Sequence, residues 1–215
     1  MEVHNFLVAS SDDYAVMRPE YQTRLFSNFM RIWHSFDGCY RSAKHYGNTP
    51  GRIFASFGRY IDIDNMMAFY PDMPESLRSE DAMRITQEYL KKNVAIALPA
   101  ITRLKLTDEE YVGIMAYLLW NIRIMAYLLW NITVKFIPEE LMDLAERNKT
   151  AVLHELHTYY KSKGIKDYSA RLGEIFVYLS LVEGLIDSSV HIIDVYKLLD
   201  VVEEQTYNLT KLSLE

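Results

Sequence analysis

Residues 21–47 read YQTRLFSNFMRIWHSFDGCYRSAKHYG, and their spacing decides the fold. Leu25, Phe26, Phe29, Trp33, Phe36 and Tyr40 recur at steps of three and four, which stacks them on one face of a helix. Tyr46-Gly47-Asn48, with Pro50 just beyond, supplies the stop. A long helix dense in large apolar residues belongs at the centre of a domain. It is expected to be the most buried element, flanked on both sides, with Trp33 almost fully covered.

Working outward, two short β-like runs follow, Ile53 to Phe57 and Tyr60 to Ile63, with Gly58-Arg59 suited to a hairpin turn. Pro71 and Pro74 mark a loop. Ser79 is placed to cap a helix that runs to about Leu98, where Pro99 should end it. Thr107 to Glu110 fits a capping box and opens an apolar helix. Pro138 suits the first turn of the next helix, with Leu141, Ala145, Val152, Leu156 and Tyr159 as its inner face and Gly164 as its stop. Asp167 or Ser169 starts another, striped by Leu172, Ile175, Phe176, Leu179, Val182 and Ile186. A last helix is expected over roughly Val190 to Val202. Upstream, residues 1–19 are weakly patterned and read as a tail, leaving residues 20–215 as one domain.

The bulk numbers agree. The chain has 215 residues, of which 50% are hydrophobic and 24% charged, enough for one domain with a sizeable core. Only 8 Gly and 6 Pro are present, which favours helices over turn-rich sheets. The net charge is −6, so the basic stripe of a nucleic-acid binder is missing, and Lys161, Lys163 and Lys166 read as a solvated loop. The single cysteine, Cys39, allows neither an internal disulfide nor a cysteine zinc module and fits a reducing compartment. Met1 to Ser11 lacks the basic start and apolar core of a signal peptide, so secretion is not expected and three Asn-X-Thr triplets read as chance matches.

Ile114 to Ile122, IMAYLLWNI, recurs letter for letter at Ile124 to Ile132. Ten residues turn a helix by about 1000°, leaving the copies roughly 80° out of phase, so one straight helix cannot point both at the same core. This is a local duplication, too short in period for a solenoid. It also makes Val112 to Val134 long enough to cross a bilayer, although Arg123 near its middle opposes insertion. A buried core helix is the favoured reading.

Little points to catalysis. His154 and His157 share a helix face, but no further ligand accompanies them, and a non-ligating pair is the expectation. Asp62 and Asp64 should face solvent. Asp108-Glu109-Glu110 sits at a helix start, where negative charge is favoured anyway. Nothing marks Cys39 as a nucleophile, and GxGxxG, GxxxxGK[ST] and GxSxG are all missing. The expectation is no enzyme, no metal and no cofactor.

Several stretches, in order, resemble the ligand-binding domain of nuclear hormone receptors of the divergent nematode type. FMRIWHSFDGCYRSAKHYG from Phe29 is similar to the family's helix 4/5, and GRIFASFGRYIDIDN from Gly51 to its small β element. LPAITRLKLTDEEYVGIMAYLLWN from Leu98 resembles the end of helix 7 and helix 8. AERNKTAVLHELHTYY from Ala145 resembles helix 9, and DYSARLGEIFVYLSLVEGL from Asp167 resembles helix 10. The resemblance implies an all-α, three-layer antiparallel helical sandwich with one small β-hairpin, truncated at its N-terminus because helix 1 and most of helix 3 would precede Tyr21. It further implies a non-enzymatic transcriptional regulator, or a fragment of one, without the family's zinc-module DNA-binding domain. Such a protein acts in the nucleus or cytoplasm, on a small apolar ligand, a receptor homo- or heterodimer partner or a coregulator, and makes no direct contact with nucleic acid or membrane.

Candidate pocket residues are Phe26, Met30, Trp33, Met66, Met83 and Phe176, the methionines serving as adaptable fillers. The helix from Asp167 to Ile186 is the family's dimer face. Glu110 and Arg171 match an acidic residue and an arginine that the family joins in a structural salt bridge, with Glu109 as fallback partner. The activation helix is imperfect: Val201-Val202-Glu203-Glu204 begins the pattern and Gln205-Thr206 break it, so weak or absent ligand-dependent activation is implied. The alternative is an unrelated helical structural or interaction protein, membrane-associated through residues 112–134 if Leu118, Leu119 and Trp120 face outward.

Overall fold

The computed structural model describes residues 12–47, 49, 51–54, 60–68, 80–121 and 139–198. These form α1 (Asp12–Ala15), α2 (Pro19–Tyr46), β1 (Arg52–Phe54), β2 (Tyr60–Asp62), a 3-10 segment (Ile63–Ala68), α3 (Glu80–Leu104), α4 (Asp108–Trp120), α5 (Glu139–Ser162) and α6 (Tyr168–Leu198). The chain is mainly helical with one small antiparallel sheet, as the resemblance implied. It divides into two compact units. Among the described residues the first contains α1, α2 through Trp33, α4 and α5, and the second contains α2 from His34, the sheet, the 3-10 segment, α3 and α6 from Ser169.

In the first unit α4 and α5 pack at close range. A Cβ on Gly113 would lie 2.6 Å from Leu156 Cδ2, so the side-chain-free position lets the two helices meet there. Glu110, Ile114 and Leu118, each four residues apart, are buried on α4, and Leu141, Ala145, Leu156 and Tyr160 on α5. Gly164, at φ +70°, ends the last turn, with the Ile165 amide bonded to the Tyr160 carbonyl and the Gly164 amide to that of Lys161. Leu118, Leu119 and Trp120 are buried, which argues against an outward-facing apolar surface.

The segment before α2 is folded from residue 12 onward rather than loose. Tyr14 is fully buried, its hydroxyl donates to the Gln22 carbonyl at 3.2 Å, and Gln22 Nε2 returns a bond to the Tyr14 carbonyl at 2.7 Å. Asn148 Nδ2 on α5 donates to Asp13 Oδ2 at 2.8 Å.

In the second unit, Phe54↔Tyr60 is the last pair of the β1–β2 ladder and leaves residues 55–59 between the strands. The turn expected at Gly58-Arg59 lies outside the described residues. Gly51, at φ +83°, accepts from the Ile63 amide at 2.9 Å and closes the base of the hairpin. Gln87 Nε2 on α3 holds the Ile63 carbonyl at 2.9 Å.

Three boundaries differ from expectation. Pro99 lies inside α3, which continues to Leu104. The bond that proline cannot make would go to the Ala95 carbonyl, and Ala95 and Pro99 are both exposed, so water can serve that carbonyl. The buried Ala97, Leu98, Ile101 and Leu104 span the proline and offset its cost of about 3 kcal/mol. The two C-terminal helices are one, α6, because Asp187-Ser188-Ser189 are weak helix formers but not breakers. The apolar helix α4 stops at Trp120, with Asn121 outside it; the second copy of the duplication lies outside the described residues, as does the Val201–Thr206 motif.

Candidate functional site

The C-terminal half of α2 is buried on several sides. At 100° per residue, Leu25, Phe29, Phe36 and Tyr40 fall within about 60° of one another, the stripe that periodicity predicts. Asp37 and Ser42 are also buried, yet lie about 100° to one side of Phe36 and about 120° to the other. Trp33 shares the stripe but is only half-buried, against the expectation of near-complete burial. Bulk alone is not the reason, since Trp120 on α4 is 4% exposed.

The polar groups on this helix are bound locally. Arg41 Nε donates to both Asp37 oxygens, at 2.8 and 2.9 Å, and its guanidinium lies 5.4 Å from the Phe54 ring centre. Ser42 Oγ donates to the Gly38 carbonyl at 2.5 Å and accepts from the Phe54 amide at 2.8 Å, stitching the helix to β1. An unpaired strand amide in the core is costly, and one hydroxyl serves both helix and sheet. The sequence offered no hint of this beyond a small polar residue in an apolar neighbourhood.

One pair in the second unit is different. Tyr178 on α6 is 3% exposed; its hydroxyl lies close enough to the Cys39 thiol of α2 for the two to perturb one another, but it makes no hydrogen bond of full geometry among the described residues. The Phe36 ring lies 6.0 Å from the Tyr178 ring, tilted by 55°. Burial pushes the Tyr178 phenol well above its ordinary range, and the adjacent thiol adds to the rise. Burial likewise raises the Cys39 thiol, which is enclosed although the residue as a whole is only half-buried; Tyr178 acts on it in the opposite direction. Both groups are therefore neutral donors at pH 7. An orphaned buried hydroxyl costs about 1–3 kcal/mol, so its retention calls for an explanation. Tyr178 sits three residues past Ile175 and four before Val182, a helix spacing that would have found it.

The named pocket residues are divided between the units. Phe26 and Trp33, both half-buried, belong to the first, and Met83 and Phe176, also half-buried, to the second. Met30 and Met66 lie on α2 and the 3-10 segment, and their side chains are outside the description. Glu110 is 2% exposed in the first unit and accepts from the Tyr160 hydroxyl at 2.8 Å. Arg171 in the second unit pairs with Glu174 at 3.5 Å and reaches the Lys105 carbonyl at 3.5 Å. Glu109 is exposed.

Other sequence candidates have structural roles. His154 and His157 lie with ring centres 6.4 Å apart, and His157 packs edge-on against Tyr168 at 4.6 Å. Asp62 Oδ1 accepts from the Asp64 amide at 3.0 Å, and exposed Asp64 meets Lys91 at 3.7 Å. Among the described residues no three His, Cys, Asp or Glu side chains gather as a metal site, and no helix is long and apolar enough to cross a membrane.

A family model described as the ligand-binding domain of nuclear hormone receptor matches residues 1–199. The chain belongs to that family. Among curated proteins, none matches it.

Proposed function

We propose that this protein is a receptor-like, non-enzymatic regulator of transcription, of the divergent nematode type, that binds a small apolar ligand and works through a receptor partner or coregulator. The observation that carries the reading is the family match over residues 1–199. The nucleus is its expected place of action. Phe26, Met30, Trp33, Met66, Met83 and Phe176 are the proposed lining, supported by their apolar character and adaptable methionines. The test is a melting series against a broad apolar library that includes fatty acids. A concentration-dependent rise in melting temperature is expected, and no shift across the library would remove the ligand.

Partner binding is proposed through α6. Ile175, Tyr178, Leu179 and Val182 are buried on one side, while Gly173, Val177, Ser180, Leu181 and Gly184 are exposed on the other. Val177 is 68% exposed, a large apolar side chain in water at the centre of that face. Val177→Glu should abolish dimerisation in sedimentation without lowering the melting temperature of the monomer.

The Glu110–Arg171 salt bridge is carried forward as a proposal. Its support is the burial of Glu110, whose carboxylate accepts from the Tyr160 hydroxyl at 2.8 Å. Arginine suits the role through its planar fork.

A further inference from the structure

We propose that the Tyr178 hydroxyl and the Cys39 thiol form the polar end of the ligand site: two uncharged donors that receive a neutral acceptor, a ketone or ester carbonyl, at one end of an otherwise apolar molecule. The proposal rests on the ligand-binding reading above and sharpens it to a ligand class.

Its first support is the orphaned hydroxyl. Tyr178 is as buried as the aliphatic residues beside it on α6, where Phe would fill the same space with nothing left unbonded. Buried tyrosines ordinarily find a partner for the hydroxyl. The second support is convergence. Cys39 comes from a different helix, and its thiol, a weak donor, lies close enough to the Tyr178 hydroxyl to perturb it. Phe36, fully buried, gives the pair an aromatic wall. One strong donor, one weak donor and an apolar surround match a single acceptor atom on a greasy body.

The chemistry also selects against charge. Burial holds both acids in their protonated forms, and the same loss of hydration would penalise a carboxylate brought there. Neither donor carries the positive charge that would compensate it. A carbonyl oxygen accepts two bonds with far less to lose on leaving water. The site should therefore prefer a ketone to the fatty acid of equal length.

The experiment uses the full chain and three probes of one length: 2-decanone, decane and decanoate. Binding is read by titration and by thermal shift. The ketone should bind about tenfold more tightly than the alkane, the scale of one added hydrogen bond, and more tightly than the carboxylate. Tyr178→Phe should bring the ketone down to the alkane's affinity and leave the ligand-free melting temperature unchanged or higher. Cys39→Ala should weaken the ketone a few-fold. Equal binding of ketone and alkane, tightest binding of decanoate, or a ketone affinity untouched by Tyr178→Phe overturns this inference while the ligand-binding reading stands. A fall in the ligand-free melting temperature of Tyr178→Phe also overturns it, because the hydroxyl would then be serving the fold. Binding of none of the three counts against both.

Discussion

Glu110 and Tyr178 make a natural pair for comparison. Each is a polar side chain on a helix, 2% and 3% exposed, one in each unit. Glu110 is built into its surroundings: Tyr160 reaches it from α5 across the interface where Gly113 meets Leu156. The Tyr178 hydroxyl is equally enclosed and, beside the Cys39 thiol, makes no hydrogen bond of full geometry among the described residues. Equal burial therefore hides opposite roles. A satisfied buried polar group fixes one packing arrangement, whereas an orphan lowers stability by about 1–3 kcal/mol and makes sense where something else is to be held. The contrast is between a polar group satisfied by the fold, Glu110, and one that the fold leaves unsatisfied, Tyr178.

Mutations at the two positions test that contrast. The largest effect is expected at the proposed charge partner of Glu110. Arg171→Ala should cost about 3–5 kcal/mol in a denaturant melt if it strands a buried carboxylate. A cost of only about 0–1 kcal/mol, the scale of an exposed pair such as Arg171 with Glu174, would remove the proposed salt bridge.

Next is the bond itself. Tyr160→Phe takes a donor from a buried carboxylate and leaves the ring, which stacks on Tyr168 with centres 6.1 Å apart, in place. A loss of about 1.5–3 kcal/mol is expected, the range for hydrogen bonds to charged groups. An unchanged chemical-denaturation midpoint would mean that Glu110 does not depend on Tyr160, and the contrast with Tyr178 would lose one side.

Gly113→Ala is smaller because two effects oppose. Alanine gains about 1 kcal/mol in helix propensity. Its Cβ would meet Leu156 Cδ2 at 2.6 Å and Cγ at 2.9 Å, so the whole Leu156 side chain must change rotamer or α4 and α5 must shift. Overpacking of this kind costs about 1–3 kcal/mol, so a net loss of about 1 kcal/mol is expected. A net gain would show that the two helices are not closely seated there.

These contrasts also mark what the sequence can convey. Helix existence was legible, since α2, α4 and α5 follow spacings of three and four and the caps at Thr107 and Gly164 fall where the helices start and stop. The end of α3 was not, because the apolar residues buried on either side of Pro99 hold the helix together across it, and the carbonyl it deserts is on an exposed side. The fusion of two expected helices into α6 has a related cause: Asp187-Ser188-Ser189 lower helix propensity by an amount that the flanking turns override. Trp33 and Phe36 carry the same periodic signal, yet Phe36 is fully buried and Trp33 is not. Periodicity names a face and says nothing of how much of a large ring its neighbours can cover. The polar side of the candidate site was least legible, because Cys39 and Tyr178 lie 139 positions apart by subtraction and only the fold brings a thiol to a hydroxyl.

The smallest expected effect is the most informative. Tyr178→Phe should leave stability at pH 7 within about 0.5 kcal/mol of the parent, or raise it, because it removes an unsatisfied hydroxyl at constant shape. Alkaline pH then separates the variant from the parent. The folded-state values of Tyr178 and Cys39 are raised above their ordinary 10.0 and 9.0, so above those values the unfolded chain sheds protons that the folded chain keeps. The folded state binds the extra proton, so stability is fully present below the unfolded value and falls as pH rises through it. One such group gives a slope of about −1.4 kcal/mol per pH unit. The parent should therefore lose stability from about pH 9, first through Cys39, and more steeply past about pH 10 as Tyr178 and Tyr14, whose phenol burial also raises, join. Tyr178→Phe should keep the first slope and the Tyr14 share of the second, and lose the Tyr178 share. If parent and variant fall together through pH 11, Tyr178 titrates alike folded and unfolded, and the enclosed neutral donor on which the contrast with Glu110 depends is not there.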